Sequence, residues 1–295
     1  MVMEELHLPD NIKVHYASME SLVHYQITHT LGVNYFLYTA YPFVKRLLNP
    51  RSSAEDIDYQ YLRFLSSNCK HVIQDSGLFT LMFGAMKGKK DAALMNKWYD
   101  KLVEFTIACN NGATIVEIDC QKVLGVSAAW DFRERMRKDL PKSNRIINVF
   151  HLEDGIKGLD RLIDFSEYIA ISVPELRFAG KSNYVGKIAR YIKRKKPTID
   201  IHLLGCTEKD LLKQNTFCTS ADSTSWLSSV RYGFIKQRHI RNIKTTKIQQ
   251  LIGEEKYKDL LQLNYKQSNL NALALDITML KKMYQDICGN QDYYK

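Results

Sequence analysis

Short apolar runs rich in Val, Ile, Tyr and Phe recur along this chain. Each is followed by a polar or glycine turn, then by a stretch whose apolar residues fall three and four apart. Runs of the first kind read as buried strands, stretches of the second as amphipathic helices. The predicted strands are Ile12–Ala17, Tyr35–Tyr41, His71–Gln74, Thr114–Ile118, Arg145–Phe150, Tyr168–Ser172, Ile199–Leu204 and Phe217–Ala221. Helices are predicted at Asp56–Leu65, Ala92–Ala108, Val126–Lys138, Gly155–Asp164, Val185–Lys193 and Glu208–Leu212. Alternating strands and helices imply a parallel sheet, and about eight strands over roughly 230 residues are what a closed α/β barrel of the (β/α)₈ TIM type requires. An open doubly wound sheet is the alternative. Against it, no G-x-G-x-x-G or G-x-x-x-x-G-K-[ST] phosphate loop follows any of the runs.

Beyond Lys247 the pattern turns wholly helical. Ile248, Leu251 and Ile252, with Tyr257, Leu260 and Leu261, mark a first helical stretch, and Leu273, Ile277, Leu280 and Ile287 share one face of a second. The expected organisation is a barrel over residues 1–247 and a helical appendage over 248–295, packed on the barrel or recruiting a partner.

Composition narrows the class without naming a function. With 45% hydrophobic and 25% charged residues in 295, the chain has the make-up of a soluble globular protein. No apolar run approaches the ~20 residues that span a bilayer. The first ten residues, MVMEELHLPD, are acidic and lack the basic-then-apolar order of a signal peptide, so a cytoplasmic protein is expected. Cys69, Cys109, Cys120, Cys206, Cys218 and Cys288 are scattered, with no C-x-x-C pair, which speaks against a clustered cysteine zinc site or a disulfide framework. A formal charge of +10 suggests a polyanionic partner. The stretch Arg231–Lys247 gathers Arg231, Lys236, Arg238, Arg241, Lys244 and Lys247 with Tyr232 and Phe234 and no acidic residue. Such a segment suits phosphate contacts and base stacking, with a solvated basic loop as the alternative. The cluster Lys193–Lys196 closes a helix, where cations are favoured by its dipole.

In a (β/α)₈ barrel, reactive groups gather at the C-terminal ends of strands. The residues just past four predicted strands are Asp75, Asp119, His151 and Asp222. Each has a bland reading: a turn, a salt bridge, a loop histidine, and a cap on the helix near Trp226. Together they are hard to explain by packing, because unpaired carboxylates are expensive to bury. Three carboxylates without a cysteine or histidine cluster point to chemistry at an anomeric carbon. There one carboxylate forms a covalent sugar intermediate and another handles protons.

These residues fall in a series of motifs. Gln74–Asp75–Ser76–Gly77–Leu78–Phe79 resembles the D-S-G-G-F-Q signature of tRNA-guanine transglycosylases, and Val116–Glu117–Ile118–Asp119 is similar to the strand carrying that family's base-recognising aspartate. Asn148–Val149–Phe150–His151 falls where the family has V-Q-G-G, and Ile169–Ala170–Ile171–Ser172–Val173 resembles its A-L-G-G-L strand. His202–Leu203–Leu204–Gly205 resembles L-M-G-V-G, followed by Thr207–Glu208–Lys209–Asp210–Leu211–Leu212 in place of the T-P-E-D-L helix start. Asp222 stands where the family has its nucleophile. The ordered matches cover roughly residues 70–235. Leu78 replaces a glycine, His151 a glutamine, and Asp222–Ser223–Thr224–Ser225–Trp226 the family's D-C-V-x-P-T-R. The C-x-C-x-x-C and histidine of the tRNA enzymes' structural zinc site have no counterpart.

A compact chain without that site is most similar to the branch that inserts 7-deazaguanines into DNA, found in phages and bacterial modification islands. The resemblance implies a pentosyltransferase that exchanges guanine in DNA for a free 7-deazaguanine such as preQ₀, through a covalent aspartyl-sugar intermediate. It needs no cofactor or metal and would work in a bacterial or phage-infected cell. Asp222 would be the nucleophile and Asp75 the proton-transfer group. Asp119, His151, Ser172 and Val173, with Ser76 and Gly77, would bind the base. Arg231, Lys236, Arg238, Arg241 and Lys244 would hold nucleic acid. Three other readings stay open: a tRNA-guanine transglycosylase, a hydrolytic glycosidase or N-glycosylase, and a non-catalytic nucleic-acid-binding protein on a degenerate barrel. A homodimer and a helper protein both remain open.

Overall fold

The computed structural model describes residues 12–78, 91–206, 208–235 and 238–288. Eight parallel strands close into a barrel in sequence order: β1 (Lys13–Ala17), β2 (Tyr35–Thr39), β3 (His71–Asp75), β4 (Thr114–Val116), β5 (Ile146–Phe150), β6 (Tyr168–Ser172), β7 (Asp200–Leu204) and β8 (Ser220–Ser223). Closure comes from β1, which pairs with β2 on one side and β8 on the other. A TIM-type (β/α)₈ barrel is therefore the fold.

The helices follow in chain order. They are α1 (Leu22–Thr30), α2 (Tyr41–Leu47), α3 (Gln60–Ser67), α4 (Ala92–Cys109), α5 (Gln121–Asp139), α6 (Gly155–Phe165), α7 (Val173–Phe178), α8 (Tyr184–Lys195), α9 (Lys209–Gln214), α10 (Ser228–Tyr232), α11 (Thr245–Ile252), α12 (Glu254–Leu261) and α13 (Gln267–Cys288). Local chemistry sets several boundaries. Asp91 caps α4 by accepting from the Leu94 amide at 3.0 Å, which satisfies one of the orphan donors of its first turn. Gly125, at φ +85°, breaks α5 one residue before the predicted start at Val126. Lys193 and Lys196 donate to carbonyls of Ile199 and Ser166 at 2.7 Å, so the lysine cluster tethers the end of α8.

Three strands differ from the sequence reading by two residues or more. β2 stops at Thr39 because Pro42, in the first turn of α2, has its φ fixed for a helix and lacks the N–H a strand would use. β4 stops at Val116, although the Glu117 amide still donates to Ile147 at 3.0 Å. β8 is displaced forward. Cys218 turns back to bond Asn215, and the ladder with β1 begins at Ser220 and runs to Ser223. Asp222 thus lies inside the strand rather than one residue beyond it.

Apolar side chains alternate across the sheet. A small cluster that includes Leu37, Ile73, Val116, Ile147, Val149 and Ala170 forms a separate group among the strands. The larger core, between sheet and helices, continues without a break into Ile248, Tyr257, Leu260, Leu270, Leu273, Ile277 and Tyr284. The expected division at residue 247 therefore marks no separate core. Near the middle of α13 the Ser229 amide reaches Asp276 at 3.2 Å. Towards its C-terminal end, Lys281 Nζ donates to Leu31 at 2.9 Å and Cys288 Sγ to Ile12 at 3.1 Å. Packed against both α1 and α9, α13 occupies the place of the eighth helix of the ring. No helix among the described residues is long and apolar enough to cross a membrane.

Candidate active site

Asp222 points its carboxylate across to β7. Its Oδ1 accepts from the Gly205 amide at 2.6 Å and from His202 Nε2 at 3.1 Å. It caps no helix; the turn beyond it is made by Ser223, whose hydroxyl accepts from the Ser225 amide. The side chain is buried, with 8% of the residue exposed. Oδ2 has no hydrogen-bond partner among the described residues.

Asp75 ends β3, opposite Thr39 of β2. Its Oδ2 accepts from the Gly77 amide at 2.9 Å. That turn requires glycine: φ is +76°, and a Cβ there would lie 2.7 Å from the Tyr41 backbone nitrogen. Burial, followed by the like charges of Asp119 and Asp222, pushes the Asp75 carboxyl up to about 7, against the Gly77 amide and the Thr39 hydroxyl, which favour the charged form. Ser76 is buried in the same turn. Its hydroxyl accepts from the Leu78 amide and its carbonyl from Trp98 Nε1 at 3.1 Å. Phe79 and Thr207, quoted among the motifs, lie outside the described residues.

A third group follows β4 and β5. His151 Nδ1 meets Glu175 Oε2 at 2.7 Å and Nε2 meets Asp119 Oδ2 at 3.2 Å. Burial opposes charge on the ring, but the two carboxylates prevail and push it up to about 10. As an imidazolium it donates from both nitrogens, and the ring clamps Asp119 to Glu175. Lys122 Nζ lies 3.1 Å from Glu175 and completes a chain of alternating charges. His151, Glu153 and Glu175 also bring one potential metal-ligating atom each within 4.8 Å of one another. With both His151 nitrogens facing carboxylates, the cluster as arranged is an ion-pair network.

Behind this group, Arg133 is fully buried. It donates to Glu117 at 2.9 Å, to Asp154 at 3.4 Å and to the Val149 carbonyl at 2.8 Å. Asp154 in turn accepts from the His151 amide at 2.9 Å. Ser172 closes β6, and Val173 begins α7 beside it.

Sequence reasoning missed the polar layer inside the barrel. His15 Nε2 and His71 Nδ1 lie 2.7 Å apart, and His71 Nε2 meets the Thr114 hydroxyl at 2.9 Å. Burial holds His15 well below its ordinary value and His71 at about 4, so both rings are neutral near pH 7. His202 and Tyr168 both contact the Ser220 hydroxyl. The signal was the two-residue period: Ser220 precedes Asp222 on one face of β8.

The basic segment leaves the barrel just after β8. Arg231 is exposed at the end of α10 and lies 3.3 Å from the Thr224 hydroxyl. Tyr232 and Phe234 are 76% and 51% exposed. Arg238 lies in a two-stranded hairpin, β9 (Phe234–Ile235) with β10 (Arg238–His239). Arg241 and Lys244 are exposed beyond it, and Lys236 lies outside the described residues. A cavity of ≈ 430 Å³ lined by Arg137, Lys142, Arg145 and Glu167 opens at the other end of the barrel, where β5 and β6 begin.

The arrangement as a whole offers one carboxylate oxygen free to attack, one carboxyl poised near neutrality to exchange a proton, and one ionic clamp holding a third carboxylate as an acceptor. A scan against protein-family models gives no match, and no curated protein matches the chain.

Proposed function

We propose that the protein is a base-exchange transglycosylase that replaces guanine in DNA with a free 7-deazaguanine of the preQ₀ type. The observation that carries the reading is the Asp222 carboxylate, held through Oδ1 with Oδ2 free, beside an Asp75 pushed up to about 7. In the first step Asp222 Oδ2 attacks C1′ of the target nucleotide. The bond from C1′ to N9 breaks, and the departing guanine takes a proton supplied by Asp75. In the second step the incoming base gives its N9 proton to the Asp75 carboxylate. Its N9 then attacks C1′ and frees Asp222, and two inversions give net retention. A group with a value near the working pH suits both proton transfers.

Asp119 accepts from the guanine N1–H and exocyclic amine, two donors that match one carboxylate. His151, 3.2 Å from Asp119 through Nε2, holds the carboxylate in place for this. The backbone at Ser172 and Val173 and the Asp75–Ser76–Gly77 turn complete the pocket. The target nucleotide leaves its stack to enter, at a cost of a few kcal/mol. Arg231, Arg241 and Lys244 hold flanking phosphates, with Tyr232 and Phe234 available for stacking. The resemblance of the motifs to the zinc-free branch is what favours DNA over tRNA.

Purified protein and its Asp222→Asn variant, mixed with duplex DNA, single-stranded DNA or tRNA and radiolabelled guanine or preQ₀, test the reading. Label entering DNA and lost in the variant is the expected result. Label entering tRNA alone moves the protein to the tRNA enzymes. Base release without incorporation makes it a hydrolase, and binding without either makes it a non-catalytic protein.

A further inference from the structure

Beneath Asp222 runs a line of three buried polar side chains that the exchange reaction as written does not use. His202 is fully buried, and Tyr168 and Ser220 are each about 1% exposed. The hydroxyls of Tyr168 and Ser220 are in hydrogen-bond contact, Ser220 Oγ contacts His202 Nδ1, and His202 Nε2 lies 3.1 Å from Asp222 Oδ1.

The proton directions in this line can be worked out from its end. An ionised carboxylate only accepts, so His202 Nε2 carries the hydrogen. In a neutral imidazole Nδ1 is then a lone pair, and the Ser220 hydroxyl donates to it. Having spent its one hydrogen, Ser220 accepts from Tyr168. The opposite direction, with Nδ1 donating to Ser220 and Ser220 to Tyr168, leaves the buried Tyr168 hydroxyl hydrogen with no acceptor among the described residues. Such a loss is costly in a site shielded from water.

We propose that Tyr168, Ser220 and His202 are positioning residues whose donors all point toward Asp222, selecting Oδ2 as the attacking oxygen and activating the carboxylate as a leaving group. This rests on the base-exchange reading. Once Oδ2 bonds C1′, Oδ1 becomes the carbonyl oxygen of the ester. When the incoming N9 attacks C1′, the bond from C1′ to Oδ2 breaks and its electron pair returns to the carboxylate. Charge then grows on both oxygens, and the His202 and Gly205 donors already aimed at Oδ1 stabilise it without reorganising. The same donors temper the free carboxylate as a nucleophile. Their effect falls chiefly on the second step, and donors lined up in series polarise one another, so Tyr168 contributes from two bonds away.

The test measures adduct and turnover separately. Protein is mixed with guanine-containing DNA, and the fraction linked to DNA under denaturing conditions is followed alongside the rate of labelled guanine exchange. His202→Phe keeps an aromatic ring in the barrel but removes the donor. It is expected to slow exchange by about 10- to 100-fold, the worth of a hydrogen bond to a charged group, while the linked fraction rises above that of the unaltered protein. His202→Gln, which keeps an N–H, recovers part of the exchange rate. Tyr168→Phe lowers it by roughly twofold to fivefold in the same sense. A merely structural role lowers linked fraction and exchange together, and that result overturns the proposal, as does an unchanged partition. In parallel, ¹⁵N spectra of histidine-labelled protein report which His202 nitrogen is protonated. A hydrogen on Nε2 is expected, and a hydrogen on Nδ1 alone overturns the donor direction whatever the activity. If the unaltered protein forms no adduct with DNA or tRNA and exchanges no base, base exchange itself fails, and the spectra still decide the direction of the chain.

Discussion

Asp75 is the residue on which pH should act most visibly. It holds a proton below about 7 because burial and two neighbouring carboxylates oppose its charge. In the proposed first step the protonated form acts, so adduct formation is expected to fall as pH rises through about 7. Asp119 exerts the larger effect of the two charges, and Asp119→Asn should move that limb to lower pH. The measurement is the pH dependence of adduct formation in the two proteins, and an unmoved limb would assign it to another group. The apparent value belongs to the cluster of three carboxylates rather than to one of them. Beside Asp75, Gly77→Ala forces a Cβ against the Tyr41 backbone at a positive φ. It is expected to destabilise the protein by about 1–3 kcal/mol in chemical unfolding and to weaken exchange by displacing the turn that binds Asp75.

At the scale of elements, β4 and β5 depend on a charge network that lies outside the barrel interior. Arg133 on α5 neutralises Glu117 and Asp154 with both carboxylates buried. Arg133→Met leaves both buried without a cation, and the expected cost is ~3–5 kcal/mol, read from the midpoint of chemical unfolding. The strands themselves were legible because β-rich apolar runs bounded by turns announce them, and most boundaries fall within a residue or two. The offset of β8 was not legible: Phe217 and Cys218 are as apolar as strand residues, and only the pairing with β1 shows where the ladder starts. The strand-end carboxylates could be read once the barrel was assumed. His15, His71 and His202 could not, since a lone histidine in an apolar run carries no mark of the neighbours that closure brings to it. The clamp on Asp119 was hidden for the same reason, because Glu175 comes from a helix after the next strand.

Across the whole molecule, the basic segment proposed to hold DNA lies where the chain leaves β8. Arg231, Arg241 and Lys244 share one short exposed segment with Tyr232 and Phe234. DNA binding is expected to weaken steeply with salt. Replacing Arg241 and Lys244 by alanine should lower the slope of log K against log salt by about 0.9 for each phosphate no longer neutralised, while leaving the exchange step intact at saturating DNA. A binding curve at several salt concentrations checks it. The helices beyond residue 247 were legible as helices but not as part of the ring. The long excursion between β8 and α13 separates the eighth strand from its helix, so that helix reads in sequence as an addition.

The position of α13 also fixes the order in which the molecule can be completed. Cys288 bonds Ile12 across 276 positions of sequence, and His15 reaches Ala221 across 206. As the chain leaves the ribosome, β1 emerges well before β8 and α13, the partners it waits for. Until they arrive the growing sheet has two open edges, each able to pair with a neighbouring nascent chain. Contacts of such long range make for slow folding. Asp222 belongs to the late-arriving strand, so a chain interrupted before β8 carries the charge clamp but lacks the proposed nucleophile.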